Sequence, residues 1–327
     1  MLIQFLAEDN DPPFCSCMPI NLSVITCAHN SRQEYLAQVT NALKTQTLDK
    51  HCWEYLLVDN ASTEPLSSRI DLSWHPSARH ITEEKLGLTP ARLRGIQEAA
   101  GEILVFVDDD NVLDPDYLEQ VLRLAAAWPI LGAFGGQARP SFEQDPPEWT
   151  QKYWRRLAIW EFDNDRWSNI PCFEDTTPNG AGLCVRQRVA TEYLAYHANH
   201  KRRFILDRSG TNLLSAGDLD LAATACDIGL GTGLFSSLKL THLVPRERLE
   251  ESYLLRLTEA QTFSGVVLMS FRSVSGAQTR LGWKTIVADQ VRMLFMEPQE
   301  RRFFRAARRG QKNGFEFLST YSNGLIP

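Results

Sequence analysis

The sequence lacks a hydrophobic run long enough to cross a membrane. Its most apolar stretch, 263–271, is interrupted by Ser264, Gly265 and Ser270, whereas a membrane-spanning helix needs about 20 consecutive apolar residues. The first 17 residues also lack the basic start that is typical of a secretory signal peptide. We therefore expect a cytoplasmic protein without a membrane span.

The chain also lacks an excess of basic residues and a disulfide framework. It has 34 Lys and Arg against 40 Asp and Glu, a formal net charge of −6, whereas nucleic-acid-binding domains are usually basic. We therefore expect no nucleic-acid partner. Its seven cysteines are an odd number and form no Cys-x-x-Cys pair, which favours the free thiols of a reducing compartment over disulfides or a zinc site.

What the sequence does have is a globular composition and an alternation of apolar strands with helices. Its 327 residues, 43% of them hydrophobic, are enough to bury a substantial core. The pattern predicts a strand at 20–26, a helix at 35–43, a strand at 53–58, a helix at 89–100 capped by Thr89, a strand at 103–107 and a helix at 114–127. This alternation is typical of a doubly wound, Rossmann-like α/β sheet.

Polar residues follow each of the three predicted strands. Asn30 comes after the first, Asp59 after the second, and Asp108, Asp109 and Asp110 after the third. In doubly wound sheets the ligand lies beyond the carboxyl ends of the strands. These side chains are therefore expected to line one cleft.

Three aspartates in a row after an apolar strand are electrostatically unfavourable, because adjacent carboxylates repel one another and raise each other's pKa. A divalent cation relieves that repulsion, and hard oxygen ligands suit Mg²⁺ or Mn²⁺, which in turn hold substrate phosphates. The alternative is an acidic loop in which Asp110 or Asn111 makes turn hydrogen bonds. The spacing alone favours neither interpretation.

Two further residues in the first half have both a functional and a plain structural interpretation. Asp59 is able to accept hydrogen bonds from a nucleobase edge or to form an ordinary Asx-turn. Arg92, on the predicted helix 89–100, is able to meet a phosphate or base or to remain a solvated helical arginine. Taken one at a time, the structural interpretations are the commoner ones.

The second half contains three weaker signals. Residues 180–182, Gly-Ala-Gly, offer backbone amides and close approach, or form an ordinary turn. Asp218 and Asp220 are either an acid/base pair or an acidic first helical turn. His242 ends an apolar strand-like run, where a histidine is more often structural than a ligand.

Taken in order, these segments resemble the inverting nucleotide-sugar glycosyltransferases of family 2. The resemblance covers about residues 20–255 and implies a GT-A-type α/β fold, a doubly wound mixed sheet followed by a C-terminal helical extension. Seven segments match that family's motifs in sequence order: 23–30, 57–63, 87–95, the DxD motif at 108–110, 179–186, 218–221 and 241–249.

The resemblance also implies a reaction and a role for each site residue. The reaction is metal-dependent, inverting transfer of a sugar from a nucleotide-diphosphate donor, usually a UDP-sugar, to a glycan or lipid-linked glycan acceptor in polysaccharide synthesis. Asp218 is the implied general base, and Asp108, Asp110 and His242 are implied to hold Mn²⁺ or Mg²⁺. The implied substrate-binding residues are Asn30, Asp59, Arg92, Asp109, Gly180, Ala181, Gly182 and Asp220.

Two other classes of function stay open on the residues alone. One is a catalytically idle nucleotide-sugar or glycan-binding protein on the same fold. The other is a nucleotidyltransferase, which also uses a metal and acidic residues on an α/β sheet but usually has a Gly-rich, basic triphosphate loop near its start. Here the first loop is 27–31, Cys-Ala-His-Asn-Ser.

The expected organisation is a mobile arm at 1–18, a nucleotide-sugar-binding half at 19–135, an acceptor-binding half with the base at 136–246, and a helical region at 247–327. The tryptophans from Trp149 to Trp167 are interpreted as core residues rather than as sugar-stacking platforms. Residues 295–313 combine cations with aromatic residues at helical spacing. They either pack on the body or attach the protein peripherally to the anionic inner face of a membrane.

Overall fold

The structure of the protein is a computed structural model. It describes residues 20–173, 175–199, 205–208, 210, 212–272 and 282–322. The arm expected at 1–18 therefore lies outside the described residues.

One nine-stranded mixed sheet forms the centre of the described chain. The strands are β1 (Leu22–Ala28), β2 (Trp53–Asn60), β3 (Ala78–Glu83), β4 (Ile103–Phe106), β5 (Asn111–Leu113), β6 (Leu131–Phe142), β7 (Arg166–Ser168), β8 (Leu183–Arg186) and β9 (Gly231–Val244). Their order across the sheet is β3-β2-β1-β4-β8-β6-β9-β5, and β7 pairs with β9. Strands β3, β2, β1 and β4 are parallel, while β8 runs antiparallel to both β4 and β6.

Helices cover the sheet and extend beyond it at the C-terminal side. They are α1 (Gln33–Lys44), α2 (Leu88–Glu98), α3 (Tyr117–Ala127), α4 (Gln187–Asn199), α5 (Gly217–Asp227), α6 (Glu251–Arg272), α7 (Trp283–Leu294) and α8 (Pro298–Ser322). None of the helices in the described ranges is long and apolar enough to cross a membrane.

The parallel strands are buried on both faces because helices lie above and below them. Side chains alternate between the two faces with period two. Val24 and Leu57 belong to one hydrophobic core cluster, whereas their chain neighbours Ile25 and Leu56 belong to the other. The near-continuous apolar runs that predicted these strands therefore reflect two cores rather than one.

Helix α2 begins earlier than the sequence indicates. Thr89 was expected to cap it, but Gly87 occupies that position with a φ of 138°, in a region that favours glycine. The Thr89 hydroxyl instead donates a hydrogen bond to Asp207, at 2.9 Å. Tertiary contact with a distant residue, rather than local capping, determines the role of this threonine.

The expected division at residue 135 falls inside β6, which lies between β8 and β9 in the same sheet. The strand bulges around Gly136, where an added Cβ would lie 1.9 Å from the carbonyl oxygen of Leu238. Only glycine allows β6 and β9 to approach so closely. The two halves of the described chain thus share one continuous sheet.

The C-terminal helices form a layer in which α8 packs along α6. Phe303 is buried and stacks on Tyr153, with ring centroids 3.8 Å apart. Three arginines of the basic segment pair with acidic residues of this layer: Arg302 with Glu251, Arg308 with Asp289 and Arg309 with Glu259. The positive charges of these three arginines on α8 are therefore neutralised within the protein.

Candidate active site

A cavity of about 620 Å³ opens beyond the carboxyl ends of β1 and β4. Its walls come from the loop after β1, the aspartate triplet after β4, the start of α2, the glycine-rich segment before β8 and the start of α5. The cleft that the strand order predicted is present, because parallel strands end at the same edge of a sheet.

The aspartate triplet lies in a tight turn between β4 and β5. Val107 still donates to Ile25 of β1, with the nitrogen 2.9 Å from the carbonyl oxygen, so the chain leaves the sheet only at Asp108. The backbone N–H of Asn111 then donates to the Asp108 carbonyl at 3.1 Å, and its side-chain amide donates to the Asp108 carboxylate at 3.2 Å. This turn directs Asp108, Asp109 and Asp110 into the cavity wall.

Two of these carboxylates resist ionisation. Burial, reinforced by repulsion from Asp110, raises the pKa of Asp108 to about 6 and that of Asp109 to about 7. The Ser31 hydroxyl donates a hydrogen bond to Asp109, which partly offsets the shift.

Asp110 is held ionised by two basic neighbours. Arg248 Nη2 lies 3.0 Å and His242 Nε2 lies 3.4 Å from Asp110 Oδ2. Burial opposes its charge, but His242 and Arg248 together hold the pKa of Asp110 well below its usual range. His242 lies beside Asp110 because the pairing of β5 with β9 places Asn111, the next residue, directly opposite His242.

The acidic side chains at the cavity are chemically suited to bind a hard divalent cation. They are not arranged around a common metal position, however. The raised pKa values of Asp108 and Asp109 belong to carboxylates that a cation would stabilise. However, no group of three or more His, Cys, Asp or Glu side chains in the described residues has the arrangement of a metal site. Asp110 already has Arg248 as its partner, so a metal would share the carboxylate with Arg248 or displace it.

Arg92 is not a solvated helical arginine. It is buried, and its Nη1 lies 3.1 Å from Oδ2 of the equally buried Asp207. Burial opposes the charge of Arg92, but Asp207, Asp218 and Asp108 raise its pKa. Asp207 also accepts a hydrogen bond from the backbone N–H of Gly217, at 3.1 Å. The pair thus joins α2 to the start of α5 beneath the cavity.

Asp218 is the second residue of α5 and lines the cavity. Its Oδ2 accepts a hydrogen bond of 2.6 Å from the backbone N–H of Gly180, and its Oδ1 accepts one of 2.9 Å from Leu219. A carboxylate in the first turn of a helix is favoured by the helix dipole. The site therefore presents an oriented carboxylate with remaining lone pairs toward the cavity.

Gly180 is packed between the two charged groups. An added Cβ would lie 2.8 Å from Arg92 Nη2 and 3.2 Å from Asp218 Oδ2. Ala181, the next residue, also lines the cavity, and its N–H donates to the Asn179 side chain at 3.1 Å. The structure is thus compatible with a binding role for Gly180 and Ala181.

Asn30 and Asp59 do not line the cavity. The Asp59 carboxylate accepts backbone hydrogen bonds from Ser62 at 3.1 Å and from Leu66 at 2.8 Å. The side-chain oxygen of Asn30 accepts one from Thr63 at 2.9 Å. Both side chains therefore hold the loop after β2 in place.

Gly182 and Asp220 also lie away from the cavity wall. Gly182 has a φ of 70° and accepts a hydrogen bond of 2.7 Å from the Tyr117 hydroxyl at its carbonyl. Asp220 is fully buried and pairs with Arg272 of α6, at 2.9 Å. Asp218 and Asp220 therefore do not form a pair of carboxylates in one site.

Sequence reasoning missed several residues of the site. Asn60 accepts the N–H of Gly87 at 2.8 Å and donates to the Lys85 carbonyl at 2.8 Å, which fixes the loop at the cavity rim. Trp160 lines the cavity, with the Arg155 guanidinium 4.3 Å from its ring centroid. The core interpretation fits Trp149 and Trp154, which pack against a buried cluster, but it is wrong for Trp167, which is 48% exposed.

Residues 23–184 match the family model described as glycosyl transferase family 2. Residues 23–184 therefore form a domain of this family. The match contains the aspartate triplet and Gly180 but ends before Asp218 and His242. The resemblance that the motifs indicated is thus confirmed over about half of the chain.

Two curated relatives from Haloferax volcanii align with shorter segments. Glycosyltransferase AglE is 31% identical over 102 residues, which is 30% of this chain and 33% of that protein. A glucosyl-dolichyl phosphate glucuronosyltransferase is 23% identical over 141 residues, 41% of this chain and 44% of that protein. The chain thus spans less than half the length of either relative.

A solved structure extends the likeness to most of the chain. The mannosyltransferase PcManGT from Pyrobaculum calidifontis, in complex with GDP-Man and Mn²⁺, superposes with a TM-score of 0.54 at 14% identity. The superposition covers 90% of this chain and 87% of that one. The expected GT-A-type α/β fold with C-terminal helices is confirmed.

Proposed function

We propose that the protein is a metal-dependent, inverting glycosyltransferase that moves a sugar from a nucleotide-diphosphate donor to a glycan or lipid-linked glycan acceptor in polysaccharide synthesis. The main support is one observation. A carboxylate with two fixed hydrogen bonds, Asp218, and the carboxylates of 108–110 line the same cavity, and the carboxylates of 108–110 lie within the residues that match family 2.

In this proposal Asp218 takes the proton of the acceptor hydroxyl as that oxygen attacks the anomeric carbon. The N–H of Gly180 holds the carboxylate in position, because it donates to Oδ2 at 2.6 Å. General-base catalysis of this kind contributes typically about 10²- to 10⁴-fold to a rate. A single displacement from the face opposite the leaving group inverts the anomeric configuration.

The donor diphosphate is assigned to the aspartate triplet. Asp108 and Asp110, with His242 beside them, would hold Mn²⁺ or Mg²⁺, which supplies charge stabilisation to the departing diphosphate. Arg92 and Asp109 also line the cavity and are proposed to contact the donor. Arg248 is a candidate donor-side residue that joins this set, because it already neutralises Asp110 at 3.0 Å.

Other predicted substrate residues receive more limited roles. Gly180 and Ala181 are proposed to face the acceptor, since both line the cavity. Asn30 and Asp59 are proposed to act through the β2 loop that they hold. Gly182 and Asp220 are proposed to maintain the packing of the β8 and α5 ends.

A UDP-sugar is the proposed donor, on the family resemblance of the motifs. The test is nucleotide release from a panel of UDP- and GDP-sugars with Mn²⁺, compared with EDTA. Metal-dependent release of UDP supports the proposal, whereas binding without any release or transfer indicates an idle binding protein. Pyrophosphate release from a nucleoside triphosphate would instead indicate a nucleotidyltransferase.

The proposed location is cytoplasmic. In the described residues Cys27, Cys172, Cys184 and Cys226 are free thiols, which suits a reducing compartment.

A further inference from the structure

Helix α7 exposes a row of large apolar side chains to solvent. Leu294 is 74% exposed and Phe295, directly after the helix, is 85% exposed. Ile286, Val287 and Val291 are each about half exposed. Together these five account for half of the large exposed hydrophobic residues in the described chain, whereas the others are scattered on separate elements.

The exposed residues share one side of the helix. At about 100° per residue, Ile286, Val287, Val291 and Leu294 fall within an arc of about 140°. Asp289 lies on the opposite side and is buried, where it pairs with Arg308 of α8 at 2.8 Å. An ion pair thus anchors α7 from behind and leaves its apolar side facing outward.

The surroundings of this side are basic, although the chain as a whole is acidic. Residues 282–322 contain eight Lys and Arg against four Asp and Glu, in a chain of net charge −6. Lys284 on α7, next to the apolar arc, and Arg305 on α8 are exposed. An apolar helix face bordered by cations is typical of helices that lie in the interface of a bilayer.

We propose that the outward side of α7, formed by Ile286, Val287, Val291, Leu294 and Phe295, docks on an anionic membrane surface. Its apolar side chains enter the boundary between headgroups and acyl chains, and Lys284 and Arg305 face the anionic headgroups. The membrane contact that the sequence predicted for residues 295–313 is therefore assigned to α7 instead, since Arg302, Arg308 and Arg309 are paired within the protein.

A second copy of the chain is a poorer occupant of this surface. Stable protein interfaces contain roughly 20–30 residues a side, far more than the five apolar residues of this row. Two copies meeting face to face would also bring two segments of net positive charge together. Anionic lipid headgroups complement that charge.

The location of α7 relates the membrane to the candidate active site. Helix α6, on which α8 packs, supplies Tyr253, Leu257 and Gln261 to the cavity wall. A membrane under α7 would therefore lie against the helical layer that borders the cavity. If the proposed function holds, a lipid-linked acceptor reaches the cavity from that layer, and this consequence alone rests on the proposed function.

The test is cosedimentation of the full chain with phosphatidylcholine vesicles, with and without about 30% phosphatidylglycerol. We expect binding to the anionic vesicles that falls at least fivefold in 0.5 M salt, since salt screens surface charge. Val291→Asp combined with Leu294→Asp should reduce binding at least tenfold. The matched control is Ile130→Asp, another half-exposed isoleucine, which should bind as wild type.

Circular dichroism and hydrolysis of soluble donor verify that each variant is folded and active, independently of lipid. Equal binding by wild type and the double variant overturns the proposal, as does the absence of binding to anionic vesicles. A concentration-dependent dimer that the double variant loses would assign the surface to a second copy. Failure of donor hydrolysis in every variant, with vesicle binding intact, would count against the proposed function only.

Discussion

The backbone N–H of Gly180 lies 2.6 Å from Oδ2 of Asp218 and donates a hydrogen bond to it. Gly180 belongs to the turn before β8, whereas Asp218 opens α5, so the contact couples two elements 38 residues apart. It orients the carboxylate that we propose as the base.

Gly180→Ala tests this relationship. The new Cβ would lie 2.8 Å from Arg92 Nη2 and 3.2 Å from Asp218 Oδ2, so at least one charged group must move. Displacement of a catalytic group by about 1 Å costs up to 10²-fold in rate, and we expect kcat to fall at least tenfold with little change in Tm. Gly282→Ala, where nothing lies within 4 Å of an added Cβ, should behave as wild type. An unchanged kcat in Gly180→Ala would show that the contact is not needed.

The buried pair of Arg92 and Asp207 should be important for stability. Arg92→Met leaves the Asp207 carboxylate uncompensated in the interior, and breaking a buried pair from one side costs about 3–5 kcal/mol. Urea unfolding measures this loss. Arg123→Met, which breaks the exposed pair of Arg123 with Glu119, should change the free energy of unfolding by less than about 1 kcal/mol. Equal effects of the two variants would contradict the account.

Asp109 should make stability pH-dependent. Its folded pKa, about 7, is raised above the ordinary value by burial and by Asp110, so the folded state binds its proton more tightly than the unfolded state does. Stability from this group is present at pH 4 and is lost as the pH rises through about 7.

We therefore expect Asp109→Asn to match wild type at pH 4 and to exceed it at pH 8 by about 1 kcal/mol or more. Urea unfolding in EDTA at the two pH values provides the comparison. The exposed Asp145→Asn is the control. A pH-independent difference between Asp109→Asn and wild type would contradict the shifted pKa.

Arg248 should compete with a divalent cation for Asp110, because its Nη2 lies 3.0 Å from that carboxylate. Arg248→Met removes both the competing ion pair and a positive charge that repels the cation. We expect Mn²⁺ alone to bind a few-fold more tightly, as measured by calorimetry without nucleotide. Arg246→Met, an exposed neighbour, is the control, and weaker Mn²⁺ binding by the Arg248 variant would contradict the argument.

The fold was largely predictable because hydrophobic runs report strands that are buried on both faces. β1, β2 and β4 lie where apolar, β-branched residues indicated them, and the residues after β4 enter the cavity as expected. A strand end does not determine what its polar residue will contact, however. Asp59 turns to the backbone of its own loop, whereas Asp108 faces the cavity.

The residues that sequence reasoning missed depend on distant partners. Asp207 lies 115 positions from Arg92, and no local sequence pattern predicts that the two residues pair. Arg248 meets Asp110 only because β9 pairs with β5. The sequence alone likewise indicates a free cationic surface on α8, because the carboxylates that pair with its arginines lie on other helices, α6 and α7.

The central claim is that Asp218 is the base for sugar transfer, and Asp218→Asn tests it most directly. The amide keeps the shape of the side chain but does not accept a proton at neutral pH. With the donor found by the nucleotide-release screen, the account predicts that transfer to acceptor falls about 10²- to 10⁴-fold, while the Kd for donor with Mn²⁺ stays within about threefold. Transfer at the wild-type rate by Asp218→Asn would contradict it.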